Sequence, residues 1–220
     1  MINDTFDFVK RITDLRLDTP GHMATADVTS LYTNIPVRES IDIVLNLAFG
    51  NNNPSHVHRG FTRDSLKSLL ENLTFDNYFK FNDRVYRQID GVSMGGPLSC
   101  AIANIFMCHH ETRWLEDCPP AFKPLFYGRY IDDIFTIFRD PSHSALFFEY
   151  LNSKHPSINF TWETEDQQSL PFLDVRVHRG NGSFETSLFR KKVSQVYRQI
   201  FYFSSRPNIN KPFKYPASQG

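Results

Sequence analysis

The sequence is poor in cysteine and has neither a long apolar run nor an excess of charge of one sign. Its three cysteines, Cys100, Cys108 and Cys118, lack paired spacing, which argues against a disulfide framework and favours buried thiols in a reducing, intracellular compartment. No apolar stretch approaches the roughly 20 residues of a membrane span. The first residues, MINDTFDF, also lack the basic and apolar regions of a signal peptide. We therefore expect no membrane contact.

Charge is distributed unevenly, although the net charge is zero. Residues 1–175 hold 15 Lys and Arg against 23 Asp and Glu, whereas residues 176–220 hold nine against one. The neutral total argues mildly against a strong nucleic-acid-binding protein. An acidic body with a basic tail could still place metal chemistry beside a phosphate-binding surface, and an ordinary solvated tail is the alternative.

What the sequence does contain is enough apolar residues for one folded α+β domain. Of its 220 residues, 40% are hydrophobic and 21 are phenylalanine. Helical spacing predicts helices in 4–17, 37–49, 62–73, 97–116 and 141–151. Alternating or β-branched residues predict a strand over 23–32, hairpins over 78–89 and 125–138, and strands over 158–163, 172–178 and 184–189. This order favours an antiparallel sheet packed on helices, followed by an irregular end from about residue 203.

Three aspartates are out of place in these strands. Asp132 and Asp133 form the tip of the predicted 125–138 hairpin, where two adjacent charges repel by roughly 1–4 kcal/mol. Taken alone, the pair is equally compatible with an acidic turn and with a divalent-cation site. Asp27 lies inside the predicted strand 23–32. If the two strands are neighbours in one sheet, three carboxylates meet at one edge and can bind Mg²⁺ (or Mn²⁺) and substrate phosphates.

Four ordered segments carry a shared pattern: 27–36 (DVTSLYTNIP), 88–99 (QIDGVSMGGPLS) with 103–105 (ANI), 129–135 (RYIDDIF), and 170–175 (LPFLDV) with 186–191 (TSLFRK). With them, residues 4–205 resemble the palm domain of a reverse transcriptase, most closely that of the Penelope-like retroelements. The resemblance implies an RNA-directed DNA polymerase that transfers a dNTP to a DNA primer on an RNA template, with a nuclear location. Asp27, Asp132 and Asp133 would then be the catalytic, metal-binding carboxylates.

The resemblance also assigns residues that contact the nucleotide and the nucleic acid. Tyr32 would be a steric gate against a ribose 2′-hydroxyl, a core tyrosine on a strand being the alternative. Gly95 and Gly96 would let the backbone approach the nucleotide or template closely. Segment 170–191 would grip the primer end, and Arg190, Lys191 and Lys192 would contact backbone phosphates. By contrast, we expect Cys108, His109, His110 and Cys118 to be core thiols and ordinary histidines, because their spacing does not suit a zinc site.

Some positions depart from the family pattern. Gly96 replaces a serine, Cys100 a proline, and Lys192 stands where a proline is common. Fingers and thumb are expected to be largely missing from a palm-like domain over 1–202 with a tail over 203–220, and the missing segments could belong to the same full-length chain. The expectation is a fragment with little activity alone. The alternatives are an inactive nucleic-acid-binding remnant of a retroelement and an RNA-templated RNA polymerase, against which Tyr32 argues. The oligomeric state is not predicted.

Overall fold

The computed structural model describes residues 1–50, 59–75 and 77–190. Met1–Phe189 form one compact unit, and Arg190 is the first residue of a second. The helices of the described part are α1 (Thr5–Asp14), α2 (Leu31–Asn34), α3 (Val37–Phe49), α4 (Arg63–Phe75), α5 (Ser99–Glu116) and α6 (His143–Asn152). The strands there are β1 (His22–Val28), β2 (Tyr78–Phe81), β3 (Arg84–Arg87), β4 (Phe126–Tyr130), β5 (Asp133–Phe138), β6 (Phe160–Thr164), β7 (Ser169–Phe172), β8 (Val175–Arg179) and β9 (Phe184–Leu188).

The main sheet has the strand order β4-β5-β1-β6, and all its neighbouring strands are antiparallel. The two strands that carry aspartates, β1 and β5, are therefore adjacent and central. A second sheet, β7-β8-β9, is an antiparallel meander, and β2 and β3 form a separate hairpin. The predicted α+β class with an antiparallel sheet on helices is confirmed.

Alternation along the central strands divides the core into two layers. Ala24, Ala26 and Val28 of β1 belong to the cluster that also contains buried residues of α3, α5 and α6. Met23 of β1 and Phe135 of β5 belong to the second cluster, together with buried residues of α1, β7, β8 and β9. The main sheet is thus covered by helices on one face and by α1 and the meander on the other.

The structure differs from the sequence-based prediction in three places. The predicted strand 23–32 ends at Val28, and Tyr32 lies in the short helix α2 instead. The predicted strand 172–178 is divided into β7 and β8 by a turn in which Leu173 has a φ of +51°. In the predicted helix 4–17, the spacing of the apolar residues places Phe6 and Ile12 on the buried face, but α1 buries Phe8 and Ile12 and leaves Phe6 exposed.

The remaining predicted elements are found close to their predicted bounds. The 78–89 hairpin turns at Asn82 and Asp83, which have φ angles of +48° and +58° and belong to residue types that tolerate this conformation. The predicted boundary between 202 and 203 lies outside the described residues and stays a prediction. No helix in the described part of the chain is both long and apolar enough to cross a bilayer.

Candidate active site

The three aspartates meet at the edge of the main sheet where the central strand β1 ends and the central strand β5 begins. Asp27 is the penultimate residue of β1 and lies directly opposite Asp133, the first residue of β5. Directly opposed residues of antiparallel strands project from the same face, so both carboxylates share the face that carries the meander. Asp132 occupies the turn before β5, and its carbonyl accepts a 2.9 Å hydrogen bond from the Val28 amide. The condition that the sequence left open, adjacency of the two strands, is met.

The electrostatics of this edge suit a cation. Partial burial raises the pKa of the Asp27 carboxyl, and the charge of Asp132 adds to the effect. A bound cation would oppose both effects. Carboxylate oxygens are the donors that Mg²⁺ and Mn²⁺ prefer, so the residues present fit such an ion.

The tip of the β4–β5 hairpin is held by a buried arginine. Ile131, the first residue of the two-residue turn, has a φ of +56°, which β-branched residues rarely adopt and which costs about 1–3 kcal/mol. The Nη1 of Arg129 donates to the Ile131 carbonyl at 2.7 Å and to Oδ1 of Asn104 at 3.0 Å. Arg129 is only 1% exposed, so it fixes the turn from inside the protein.

An acidic residue of α5 compensates the charge of Arg129. Oε1 of Glu111 accepts hydrogen bonds from Nε of Arg129 at 2.6 Å and from the Tyr127 hydroxyl at 2.5 Å. Burial opposes the charge on Arg129, but Glu111 outweighs this effect and the pKa of Arg129 is raised. The sequence did not predict this network. The sequence signal for a buried ion pair was the presence of Arg129 and Glu111 inside otherwise apolar segments.

Tyr32 lies beside this edge. Its hydroxyl is 3.1 Å from Sγ of Cys100 in the first turn of α5. This hydrogen bond, with burial and with the charges of Cys100 and Asp132, raises the pKa of Tyr32 to about 12, so its ring stays neutral. Cys100 replaces the proline of the family pattern, and that departure supplies the contact.

The glycine-rich loop is fastened next to Tyr32. The Val92 amide donates to the Tyr32 carbonyl at 2.7 Å. Gly91 has a φ of +70°, and a Cβ there would lie 2.5 Å from the Tyr32 and Thr33 carbonyl oxygens. This requirement for glycine at 91 was not predicted.

The two glycines predicted to contact the nucleotide differ in their surroundings. At Gly95, with a φ of +85°, a Cβ would have no heavy atom within 4 Å, so the space beside its backbone is open. A Cβ at Gly96 would instead lie 2.6 Å from the hydroxyls of Ser93 and Ser99. Gly96 is therefore needed for packing inside the loop, whereas the space beside Gly95 is open, and nucleotide or template contact by either glycine stays a prediction.

Solved structures with a similar fold include two yeast telomerases. Apo telomerase from Candida tropicalis, truncated from its C-terminal domain, matches with a TM-score of 0.62 and 14% identity over 85% of this chain and 40% of its own. Telomerase from Candida albicans, solved with a fragment of telomeric RNA, matches with a TM-score of 0.62 and 14% identity over 91% of this chain and 39% of its own. The chain has a polymerase-like fold.

Other comparisons add no family. No family model matches the sequence, and no curated protein matches it. The chain spans about two fifths of the telomerase chains that it resembles. At such low identity the likeness concerns the polymerase-like fold and leaves the Penelope-like subtype as a prediction.

Within this fold, the predicted primer-gripping segment is the β7–β9 meander. It packs on the sheet face that carries Asp27 and Asp133, with Phe172 5.4 Å from Phe135 between ring centroids. Arg190 is exposed, directly after the meander. Lys191 and Lys192 lie outside the described residues, and their predicted phosphate contacts stay predictions.

A second cluster of potential metal ligands lies on other elements. Glu39, His110 and His155 place one ligand atom each within 4.8 Å of one another. Glu39 is hydrogen-bonded to His110 at 2.9 Å and to His155 at 3.2 Å. The Ser157 amide donates to Nδ1 of His155 at 3.1 Å, which leaves the proton on Nε2, facing Glu39. This bonding explains the cluster without an ion.

The cysteines take no part in that cluster. Cys108 is half-buried and its Sγ lies 3.4 Å from Nη2 of Arg129, and Cys118 is buried. Cys100 is exposed, contrary to the expectation of buried thiols. All three are free thiols.

Proposed function

We propose that the chain is the palm-like domain of an RNA-directed DNA polymerase of a retroelement, similar to the Penelope-like group, which joins dNTPs to the 3′-hydroxyl of a DNA primer on an RNA template. The observation that carries the proposal is the placement of Asp27 opposite Asp133, with Asp132 at the adjoining turn. The polymerase-like fold supports it. A nuclear, reducing compartment stays a prediction from the resemblance and the cysteine content.

Each residue of the site has a role in this reaction. Asp27, Asp132 and Asp133 would hold two divalent cations, Mg²⁺ or Mn²⁺. When bound, the ions would supply positive charge for activation of the attacking hydroxyl and for neutralisation of the leaving pyrophosphate. The catalytic contribution of the protein is then to fix the carboxylates, which the hydrogen bonds of Arg129 achieve at the turn.

Selection of the substrate would fall to Tyr32 and the glycine loop. The neutral ring of Tyr32, next to Cys100, would crowd a ribose 2′-hydroxyl and favour deoxynucleotides. The open backbone at Gly95 would accept part of the nucleotide or template, whereas Gly96 would shape the loop. The meander lies on the same face as Asp27 and Asp133, where a primer end has to reach the carboxylates.

Metal binding tests the site directly. Titration of Mg²⁺ into the metal-free chain, followed by calorimetry, should show binding that Asp132→Asn weakens by about tenfold or more, because affinity follows the number of ligand charges. Asp42→Asn, at an exposed position of α3, is the matched control. If Asp132→Asn leaves the affinity unchanged, the site assignment is wrong.

Primer extension tests the reaction. We expect weak RNA-templated extension by residues 1–220, lost in Asp132→Asn, and increased use of rNTPs by Tyr32→Ala. Processive extension by the wild-type chain would contradict the predicted low activity of the fragment. Salt-sensitive RNA binding without any metal-dependent stabilisation would favour the inactive remnant instead.

A further inference from the structure

The β2–β3 hairpin has no apolar face turned to the core. All eight of its strand residues are exposed, including Phe79, Phe81 and Val85 at 52%, 68% and 69%. A two-stranded hairpin is marginally stable by itself, and exposed apolar patches of this kind mark interaction surfaces. The hairpin is therefore a surface available to a partner.

Each face of the hairpin combines aromatic rings with cations. Phe79 is paired with Tyr86, and Phe81 with Arg84, so these four side chains share one face. The rings of Phe79 and Tyr86 are stacked, with centroids 5.6 Å apart and an interplanar angle of 20°. Flat, parallel rings beside a guanidinium form a surface on which further rings can stack.

The opposite face adds basic charge. Tyr78 is paired with Arg87, and Lys80 with Val85. The hairpin thus carries three cations against a single acid, Asp83, although residues 1–175 as a whole have an excess of acids. An apolar protein partner would desolvate these cations at a cost, whereas phosphates would neutralise them. Unpaired bases are favoured over a duplex, because bases inside a duplex are already stacked.

The hairpin is connected to the candidate active site by a short chain. Only four residues lie between Arg87 and Val92, whose amide is bonded to the Tyr32 carbonyl. Such a segment spans at most about 18 Å when fully extended. A single nucleic-acid strand bound on the hairpin can therefore continue towards Tyr32 and the aspartates.

We propose that the face formed by Phe79, Phe81, Tyr86 and Arg84 is a stacking platform for unpaired bases of the template strand, and that Lys80 and Arg87 contact its phosphates. The role of the bound strand as a template rests on the proposed function. Binding of single-stranded nucleic acid by the hairpin is measurable without catalysis.

Fluorescence anisotropy with a labelled 12-nucleotide oligouridine and the 220-residue chain tests the platform. The double variant Phe79→Ala/Tyr86→Ala should bind about 5- to 150-fold more weakly for each base that loses its ring. Arg87→Gln should lower the slope of log K against log salt by about 0.7, the loss of one phosphate contact on a single strand. Val85→Ala, on the other face, is the matched control and should bind like the wild type. Oligothymidine shows whether the platform also takes DNA.

Several results would overturn the proposal. They are no binding of either oligonucleotide, equal binding by the double variant, and equal preference for duplex RNA. A change from dimer to monomer in the double variant, with oligonucleotide binding intact, would assign the face to a second copy of the chain.

Different results would contradict the proposed function and the proposed platform. If Asp132→Asn does not alter metal affinity while the hairpin variants lose oligonucleotide binding, the platform stands and the polymerase site does not. If primer extension occurs and is insensitive to Phe79→Ala/Tyr86→Ala, the function stands and the platform does not. Thermal unfolding monitored by circular dichroism shows that each variant remains folded.

Discussion

The β2–β3 and β4–β5 hairpins turn in the same number of residues and have opposite surroundings. In β4–β5, Arg129 and Phe135 are buried, and both strands belong to the main sheet. In β2–β3, every strand residue is exposed, and among the described strands the two pair only with each other. The first hairpin is fixed by neighbouring elements, and the second is held by the hydrogen bonds between its own strands.

The difference suits the role proposed for each hairpin. In the proposed function, carboxylates that bind cations have to stay in place against mutual repulsion, and Arg129 and Glu111 support them from the inside of the protein. A surface proposed to stack on bases needs its rings free, and Phe79 and Phe81 are exposed. The two proposed roles would therefore need a rigid hairpin in one place and an accessible hairpin in the other.

The largest contrast is expected for one substitution made in both hairpins. Phe135→Ala should lower the free energy of unfolding by about 4 kcal/mol, because the ring packs against Phe8 and Phe172 in the core. Phe81→Ala should change it by less than about 0.5 kcal/mol. Urea denaturation measures both. Equal losses would show that β2–β3 is packed in solution.

Removing Arg129, which supports the β4–β5 hairpin, should lower the free energy of unfolding by slightly less. Arg129→Met leaves Glu111 buried without its cation and should destabilise the chain by about 3 kcal/mol. Replacing both partners, as Arg129→Met with Glu111→Leu, should recover part of that loss. Urea denaturation gives the stability, and a weakened Mg²⁺ affinity of the refolded single variant would show that the network positions the aspartates. A single variant as stable as the wild type contradicts the buried ion pair.

Substitutions in the glycine-rich loop that follows the exposed β2–β3 hairpin should lower the free energy of unfolding by a smaller amount. Gly91→Ala should destabilise by about 2 kcal/mol, since its Cβ meets two carbonyl oxygens at a positive φ. Gly95→Ala, where the space is open, should cost about 1 kcal/mol. Both are measured by denaturant unfolding. The reverse order would mean that the loop is not fastened at Tyr32.

The smallest effect on stability is expected for substitution of Asp27, which lies opposite Asp133 of β5. Burial and Asp132 raise its pKa above the ordinary 3.8, so its contribution to stability is full below that pH and is lost as the pH rises through the folded-state pKa. In metal-free protein at pH 7, Asp27→Asn should therefore be more stable than the wild type, by less than about 1 kcal/mol after solvent screening.

Thermal unfolding in chelator at pH 7 and pH 3 measures this difference. The two proteins should unfold alike at pH 3, where the wild-type carboxyl is neutral as well. Added Mg²⁺ should stabilise the wild type and leave the variant nearly unchanged. A variant that is less stable at pH 7 without metal would contradict the raised pKa.

The sequence was sufficient to place Asp27 in a strand and Asp132 and Asp133 at a hairpin tip, because strand patterns and ordered motifs are local signals, but it left the pairing of β1 with β5 open. The hairpin turn at Asn82 and Asp83 was predictable for the same reason, since these residue types tolerate a positive φ. Ser30, Ile131 and Leu173 adopt a positive φ without any such preference. The end of β1 before Tyr32 and the break between β7 and β8 were accordingly missed.

The sequence also did not predict which residues far apart in the chain form pairs. Glu111 and Arg129 lie on different elements, and only the packing of α5 against the sheet brings their charges together. The opposite roles of Gly95 and Gly96 likewise depend on the hydroxyls of Ser93 and Ser99. Motif resemblance identified the loop, and packing decided which glycine is open.

The contact between Cys100 and Tyr32 has a practical consequence. Cys100 is the exposed thiol of the three, whereas Cys108 is half-buried and Cys118 is buried. A maleimide dye should therefore attach selectively beside the candidate active site, next to the hydroxyl of Tyr32. Changes in the brightness of that dye would report arrival and departure of a nucleotide in real time, without any chemistry having to occur.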